Sequence, residues 1–425
     1  MAHSEAEPAS RPLRILVLSQ FYAPEPLYKM PSLAEELVRR GHAVTVLTGF
    51  PNYPTGKLYP GYRVRMLASE EREGVRVLRM PLYPDHSRST VGRSANYLSF
   101  AASSTLLGPL FAPPLDLIWT CPPMTVGVPA WWLGLLKDAP FVYEVQDMWP
   151  ETVAATGMLS NGLALGTLER LARFVYRRAA AVTVVSPGFR ENLIAKGVPP
   201  HKVHLIPNWA DDDLYHPLPP DPALAAEFGL AGRFNVMFAG NLGAAQGLEH
   251  VLAAAAGLRD LPEIQFVIVG SGLAEPALRA QAEAEGLVNV RFLGQHPATR
   301  MVHFFALADV LLVHLRRDPL FDITIPSKTL SYLACGRPIL SATSGDAADV
   351  VREAGAGVVC PPEDAEALAQ AVRTLYAMPP EQRQHLGDAG RKAYLEGYTR
   401  KVLVDRYEAL FYRLLGLRSA AGSRA

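Results

Sequence analysis

Pro326-Ser327-Lys328-Thr329-Leu330-Ser331-Tyr332-Leu333-Ala334-Cys335-Gly336-Arg337-Pro338-Ile339-Leu340 reads as a turn, a short helix and the start of a strand. Pro326 opens the turn, and Ser327 and Lys328 occupy the first helical turn. Gly336 stops the helix, and residues 339–342 enter a strand. A helix N-terminus presents unpaired N–H groups and partial positive charge, so an anion is stabilised there. The dipole contributes about 0.3–1 kcal/mol at an exposed site. A lysine hydrogen bond to an ionised oxygen contributes about 1.5–3 kcal/mol, so Lys328 outweighs the helix end. An ordinary buried αβ unit with a surface lysine would carry the same pattern. The remainder of the chain has to decide.

Working outward, the same grammar repeats. Residues 14–19, Arg-Ile-Leu-Val-Leu-Ser, form a short apolar run of the kind buried in parallel sheets. A helix is expected over 31–40, with Leu33, Leu37 and Val38 on one face, then a strand over 43–48. Further strands are expected at 75–79, 117–120, 141–145, 181–185 and 203–206, with a long helix over 163–180. After a Pro- and Asp-rich break, strands resume at 235–239, 265–269, 290–293, 310–314 and 339–342. Strands alternating with helices predict an α/β fold with two parallel sheets covered on both faces. The expected boundaries are a disordered tail over 1–12, a first Rossmann-like domain over 13–206 and a linker over 207–222. A second such domain follows over 223–399, then a helix over 400–417 packing on the body and a tail over 418–425.

Composition narrows the function classes. A chain of 425 residues exceeds one compact core, so two domains are expected. Acidic and basic residues balance at 41 each, so no net charge draws the chain to nucleic acid. The 3 cysteines, Cys121, Cys335 and Cys360, are far apart and lack metal-ligand spacing. Cys121 and Cys335 adjoin apolar strands, as buried thiols do in a reducing cytosol. The first dozen residues lack the order of a signal peptide. No apolar run reaches the roughly 18 residues of a membrane span.

Ligands of open α/β sheets bind beyond the carboxyl ends of the strands. Gly240-Asn241-Leu242-Gly243-Ala244-Ala245-Gln246-Gly247 follows the first strand of the second half and opens a helix. Its glycines would let backbone N–H groups approach a phosphate. Val269-Gly270-Ser271-Gly272 and Leu293-Gly294-Gln295 follow the next two strands. One such loop is weak evidence; three, followed by the Lys328 helix, point to a nucleotide diphosphate. A dehydrogenase is disfavoured, because no strand is followed by a full G-x-G-x-x-G with an acidic residue about 20 positions on.

The order Gly240-Asn241-Leu242, Val269-Gly270-Ser271-Gly272, Phe292-Leu293-Gly294 and Pro326-Ser327-Lys328, ending at Gly336-Arg337-Pro338, resembles glycosyltransferase family 4. In the first half, Thr48-Gly49-Phe50-Pro51-Asn52-Tyr53-Pro54-Thr55-Gly56 and Gln146-Asp147-Met148-Trp149-Pro150-Glu151 are similar to the bacterial surface-polysaccharide branch, such as the N-acetylfucosamine transferases. The resemblance covers residues 13–415. It implies a GT-B fold whose two domains face a cleft, with the acceptor on the first and the nucleotide sugar on the second. It also implies transfer with retention of anomeric configuration, no metal and no cofactor beyond the nucleotide-sugar co-substrate, expected to be a UDP-sugar. The implied donor-binding residues are Gly240, Asn241, Leu242, Gly243, Gln246, Gly270, Gly294, Asp322, Thr324, Ser327, Lys328 and Ser331.

The chain departs from the family pattern in three places. The two glutamates spaced seven apart would fall near Ile323, flanked by Asp322 and Thr324, and near Ser331. The basic residue of the first loop appears as Gln246, and paired glycines near Leu27 and Tyr28 are absent. Each lost hydrogen bond to a charged group costs about 1.5–3 kcal/mol. Lys328 would then supply the missing phosphate charge.

For catalysis the first domain offers Asp147, just past strand 141–145, and Glu151 four residues on. Asp147 could equally cap a helix opened by Pro150. Among the histidines, His42 is expected to be structural, and His314, at a strand end, is the one placed near the donor. Trp119, Trp131, Trp132 and Trp149 are expected in the core or in an acceptor wall. Arg63, Arg65, Arg72, Arg76, Arg79, Arg88 and Arg93 precede an amphipathic stretch at 97–107, either a membrane-facing surface or a charged region beside a core helix. With the polysaccharide-branch resemblance, the expected acceptor is a saccharide or lipid-linked saccharide, with the protein cytoplasmic, peripheral contact at the inner face of the membrane as an option, and no nucleic-acid partner. A nucleotide-sugar epimerase on the same fold, or a sugar-nucleotide-binding pseudoenzyme, would share the glycine loops and Lys328.

Overall fold

The computed structural model describes residues 11–87, 89–155 and 161–417. The expected tails, apart from Arg11 and Pro12, and Arg88 lie outside the described residues. Arg11 departs from the disorder expected of 1–12: its guanidinium pairs with Asp116 at 2.9 Å. The chain forms two compact units. The first takes in the chain up to Val185, Phe189–Pro207 and the chain from Lys401 on; the second comprises Ser186–Gly188 and Asn208–Arg400.

The first unit is built on an eight-stranded sheet. Its strands are β1 (Arg14–Leu18), β2 (Ala43–Gly49), β3 (Ala68–Arg72), β4 (Val75–Met80), β5 (Leu117–Thr120), β6 (Phe141–Val145), β7 (Ala181–Val184) and β8 (Val203–Leu205), in the order β3-β4-β2-β1-β5-β6-β7-β8. All neighbours pair in parallel except β3 with β4. β3, Ala-Ser-Glu-Glu-Arg, escaped the sequence reading because it is a polar edge strand without the apolar run of a central one.

The second unit holds a six-stranded, all-parallel sheet. It is made of β9 (Phe234–Ala239), β10 (Ile264–Val269), β11 (Val290–Gly294), β12 (Val310–His314), β13 (Ile339–Ala342) and β14 (Gly357–Cys360), in the order β11-β10-β9-β12-β13-β14. Every residue of β9, β10 and β12 is buried, with apolar clusters on both faces. Each large apolar side chain so buried contributes about 1.5–3 kcal/mol. β14 was not anticipated. It begins at Gly357, where a Cβ would fall 1.7 Å from the Ile339 carbonyl oxygen, so only glycine lets the strand start that close to β13.

The stretch 207–222, expected as the linker, carries defined contacts. From Asn208 on it packs within the second unit, the Tyr215 ring stacking on Phe305 at 5.8 Å. Asp212 accepts from the Arg400 N–H at 2.8 Å and from the Tyr394 hydroxyl. The helix Arg400–Leu414 returns to the first unit, burying Leu403, Val404, Tyr407, Leu410 and Phe411. There Arg40 pairs with Asp405 at 2.5 Å and Glu408 at 2.9 Å. His42 accepts from the Leu13 N–H through Nδ1 at 3.0 Å, so Nε2 carries the proton donated to Glu408 at 2.9 Å. His42 is a structural residue.

Candidate active site

In the second unit, β9 ends at Ala239, whose N–H donates to the Tyr332 hydroxyl at 3.1 Å. Tyr332 lies on the helix Ser327–Ala334, so this bond fixes that helix against the strand end. The chain leaves β9 through Gly240, with φ at +135°, and β10 through Gly270, at +136°. A Cβ on Gly270 would lie 1.9 Å from the Gly240 carbonyl oxygen, and one on Gly272 2.4 Å from that of Leu242. The loops are stitched together: Gly240 N–H donates to Val269 at 2.9 Å, Leu242 N–H to Ser271 at 2.9 Å and Gly270 N–H to Gly294 at 2.8 Å.

These contacts correct part of the loop expectation. The N–H groups of Gly240 and Gly270 are spent on the ends of β10 and β11 and that of Leu242 on the loop at Ser271, rather than held open for phosphate. Gly270 serves close loop packing and Gly294 receives its N–H. The Leu242 side chain is 0% exposed in the core, so it offers a ligand no side-chain contact. Asn241 and Gly243 form the turn beyond, where a Cβ on Gly243 would sit 2.8 Å from the Asn241 side-chain nitrogen.

The helix Ser327–Ala334 has no side-chain cap at its N-terminus. Lys328 Nζ reaches across to Gln246 Oε1 at 3.0 Å and lies 3.6 Å from the centre of the Phe238 ring. A Cβ on Gly240 would lie 3.2 Å from Nζ, so glycine makes the room in which the ammonium sits. Desolvation lowers the Lys328 pKa to about 7. Gln246 thus does not replace the missing base; it holds the lysine with a neutral carbonyl. Its own backbone oxygen accepts from His314 Nδ1 at 2.7 Å, which leaves Nε2 as a buried acceptor without a partner. Burial lowers the His314 pKa to about 4, so the ring is neutral at physiological pH.

The structure draws the other expected donor residues into local bonds. The Thr324 hydroxyl donates to the Leu320 carbonyl at 2.7 Å, and the Ser331 hydroxyl donates to the Ser327 backbone carbonyl at 3.5 Å. The Asp322 carboxylate accepts from the Ser344 hydroxyl. Ser327 itself is exposed at the first helical position.

In the first unit, Asp147 follows β6 and keeps contact with solvent, yet surrounding protein raises its carboxyl pKa by desolvation. Among the described residues its side chain makes no hydrogen bond, and desolvation is the one influence on its charge. Its charge is felt by Tyr97, Cys121 and Tyr143. Glu151 is engaged elsewhere, in an ion pair with Lys196. Just before Asp147, the buried Glu144 pairs with Lys29 at 2.7 Å and accepts from the Tyr407 hydroxyl and from Gln146.

Two features went unseen in the sequence. Glu25, in the proline-rich loop after β1, accepts from the N–H groups of Tyr22 at 2.9 Å and of Asn52 and Tyr53 at 2.8 Å, so it shapes the 48–56 motif. A row of half-buried rings also runs along the strand ends. Tyr53 meets His86 at 4.8 Å, His86 meets Tyr97 at 6.4 Å and Tyr97 meets Trp149 at 6.3 Å. Their separation in sequence hides the row. The arginine cluster divides as well. Arg79 is 0% exposed, bonded to Glu70 at 2.6 Å and to the Gly49 carbonyl at 2.9 Å, and Arg72 pairs with the same glutamate at 3.0 Å. Both are structural.

Residues 30–209 fit the family described as Glycosyl transferase 4-like domain, and residues 226–393 fit Glycosyl transferases group 1. The putative colanic acid biosynthesis glycosyl transferase WcaI of Escherichia coli K12 is 30% identical over 387 residues, 86% of this chain and 93% of that one. The chain belongs to glycosyltransferase family 4. The transferase is also similar to the probable glycosyltransferase WbjE of Pseudomonas aeruginosa, 26% identical over 65% of this chain and 68% of the relative. Neither relative's name specifies N-acetylfucosamine. Two solved structures share its GT-B fold. Sucrose-phosphate synthase of Thermosynechococcus elongatus matches with a TM-score of 0.70 at 18% identity, covering 95% of this chain and 99% of that one. Alr3699/HepE of Anabaena, in complex with UDP, matches with a TM-score of 0.69 at 17% identity, covering 94% and 100%.

Proposed function

We propose that the transferase moves a sugar, with retention of configuration and without a metal, from a UDP-sugar held by the second unit to a saccharide or lipid-linked saccharide bound at the first, in surface polysaccharide biosynthesis. The carrying observation is Lys328, a desolvated ammonium whose hydrogen-bond partner is the neutral Gln246 amide. A diphosphate would supply the anion that this cation lacks. The relatives' names support the pathway class, and the UDP complex of HepE supports the base. An epimerase or pseudoenzyme finds no matching support, since the named relatives are transferases.

In the proposed reaction the bond from the sugar's anomeric carbon to the diphosphate oxygen breaks as the acceptor oxygen bonds the same face. The acceptor proton leaves with the diphosphate, whose growing charge Lys328 stabilises. Asp147 orients the acceptor hydroxyl or steadies positive charge on the sugar. Thermal stabilisation by UDP-, GDP- and dTDP-sugars tests donor class. Product NMR tests retention, and an inverted product would remove this reading; turnover lost to EDTA and restored by a divalent ion would remove metal independence.

Peripheral membrane contact belongs to the same proposal. No helix among the described residues is long and apolar enough to cross a membrane. The helix Thr90–Phe111, however, buries Asn96, Phe100, Ser104 and Gly108 and exposes Val91 at 79%, Leu98 at 60%, Leu106 at 72% and Leu110 at 74%. It contains no acidic residue, and exposed Arg63 and Arg65 alternate with exposed Val64 and Met66 in the same unit. An apolar outer face on a helix without acidic residues, in a unit that also exposes arginines, suits an anionic bilayer surface. Sedimentation with phosphatidylglycerol vesicles, lost in Leu106→Gln/Leu110→Gln, is the check.

A further inference from the structure

Beside the loop that carries Asp147, the first unit holds a half-open pocket of about 130 Å³ whose lining includes Arg93, Tyr97, Leu98, Thr125, Trp149 and Leu168. A single water needs about 10–15 Å³ measured this way, so a polyatomic group fits. The walls are mainly apolar, and Thr90, Arg93, Ser94 and Thr125 bring polar side chains to them. Arg93 Nε and Thr125 Oγ1 are both buried without a hydrogen-bond partner, and Thr125 is only 7% exposed. Arg93 forms no ion pair among the described residues. The carboxylate that influences it, Asp85, accepts from the Ser87 N–H at 2.7 Å. A buried guanidinium N–H left unpaired is costly, and the group that best relieves it is an anion.

The lining also indicates what carries that anion. Leu98 belongs both to the pocket and to the apolar outer face that continues to Leu106 and Leu110. A free inorganic anion would have no use for such walls. Resting on the transferase reading above, we propose that this pocket takes the phosphate of an acceptor carried on an apolar chain. Arg93 and Thr125 would donate to the phosphate oxygens, and the chain would leave past Leu98 over the outer face of the helix Thr90–Phe111.

The test is calorimetric titration with farnesyl diphosphate, farnesol and inorganic pyrophosphate. It is done in a Lys328→Ala background so that the second unit does not compete for diphosphate. Farnesyl diphosphate should bind at least tenfold more tightly than either other probe. Arg93→Ala should weaken it at least tenfold, and Thr125→Val, which keeps the side-chain volume, severalfold. Unchanged thermal melting would separate these losses from misfolding. Pyrophosphate binding as tight as farnesyl diphosphate would overturn the apolar carrier, and farnesyl diphosphate binding indifferent to Arg93→Ala would overturn the site. UDP-sugar binding measured in Arg93→Ala alone should equal that of the unaltered protein, so this proposal and the donor reading fail separately.

Discussion

The Lys328 ammonium sits 3.6 Å from the centre of the Phe238 ring, at the carboxyl-terminal half of β9. An aromatic face attracts a cation, worth roughly 2 kcal/mol when desolvated, yet it does not replace water's solvation of an ammonium. Desolvation prevails, and the pKa falls from the ordinary 10.5 to about 7. A lysine depressed in the folded state binds fewer protons than the unfolded chain between those values. Its contribution to stability therefore improves as pH rises from about 7 toward 10.5.

A diphosphate should restore the charge, so nucleotide binding at pH 8.5 should take up nearly one proton. Calorimetry in two buffers of different ionisation enthalpy reads this directly. Lys328→Met should abolish the uptake and weaken binding by about 1.5–3 kcal/mol. Proton uptake unchanged in that variant would assign the titration to another group.

Asp147→Asn keeps the side-chain shape and removes the charge. Turnover should fall about 10²–10⁴-fold, the scale of a positioned proton-handling group, with donor affinity nearly intact. Because desolvation raises its pKa, the ionised form should be lost at a higher pH than for an ordinary aspartate. The acidic limb of the rate profile should shift accordingly and vanish in the variant. Wild-type turnover in Asp147→Asn would leave the residue without a role in the reaction.

Gly270→Ala should disturb the donor loops from beneath. Its φ of +136° strains any side chain, and the Cβ would press on the Gly240 carbonyl. Strain of this kind costs about 1–3 kcal/mol. Denaturant melts should show at least that loss, together with weakened nucleotide binding. A variant with native stability would mean the two loops can separate freely.

Lys29→Met should leave the fully buried Glu144 carboxylate without its cation. Breaking one side of a buried pair costs about 3–5 kcal/mol, whereas replacing both sides is often far milder. Lys29→Met/Glu144→Gln should therefore recover part of the stability lost in the single variant. Equal melting of the two variants would deny the pair any coupling.

The sheets were legible because parallel strands buried on both faces, such as Phe234–Ala239, leave continuous apolar runs. Lys328 was legible because a helix start after a strand end is a local pattern. The function of Gly270 was not, because its constraint is the Gly240 carbonyl thirty residues away. The same holds for Glu25, whose partners lie in another loop, and for the ring row from Tyr53 to Trp149. Arg79 looked like surface charge because nothing in its neighbourhood announces burial against Glu70. Sequence displays periodicity well and long-range polar pairing poorly.

The return of the helix Arg400–Leu414 to the first unit has a consequence for biogenesis. Translation delivers the eight strands of that unit early, but Tyr407, the partner of Glu144, emerges only after the whole second unit has been made. Until then the nascent first half carries a carboxylate and an apolar groove awaiting their cover. Domains fold largely as units during synthesis, and exposed apolar surface is where aggregation starts. The chain's last helix thus acts as a clasp that ribosomal timing obliges the cell to wait for.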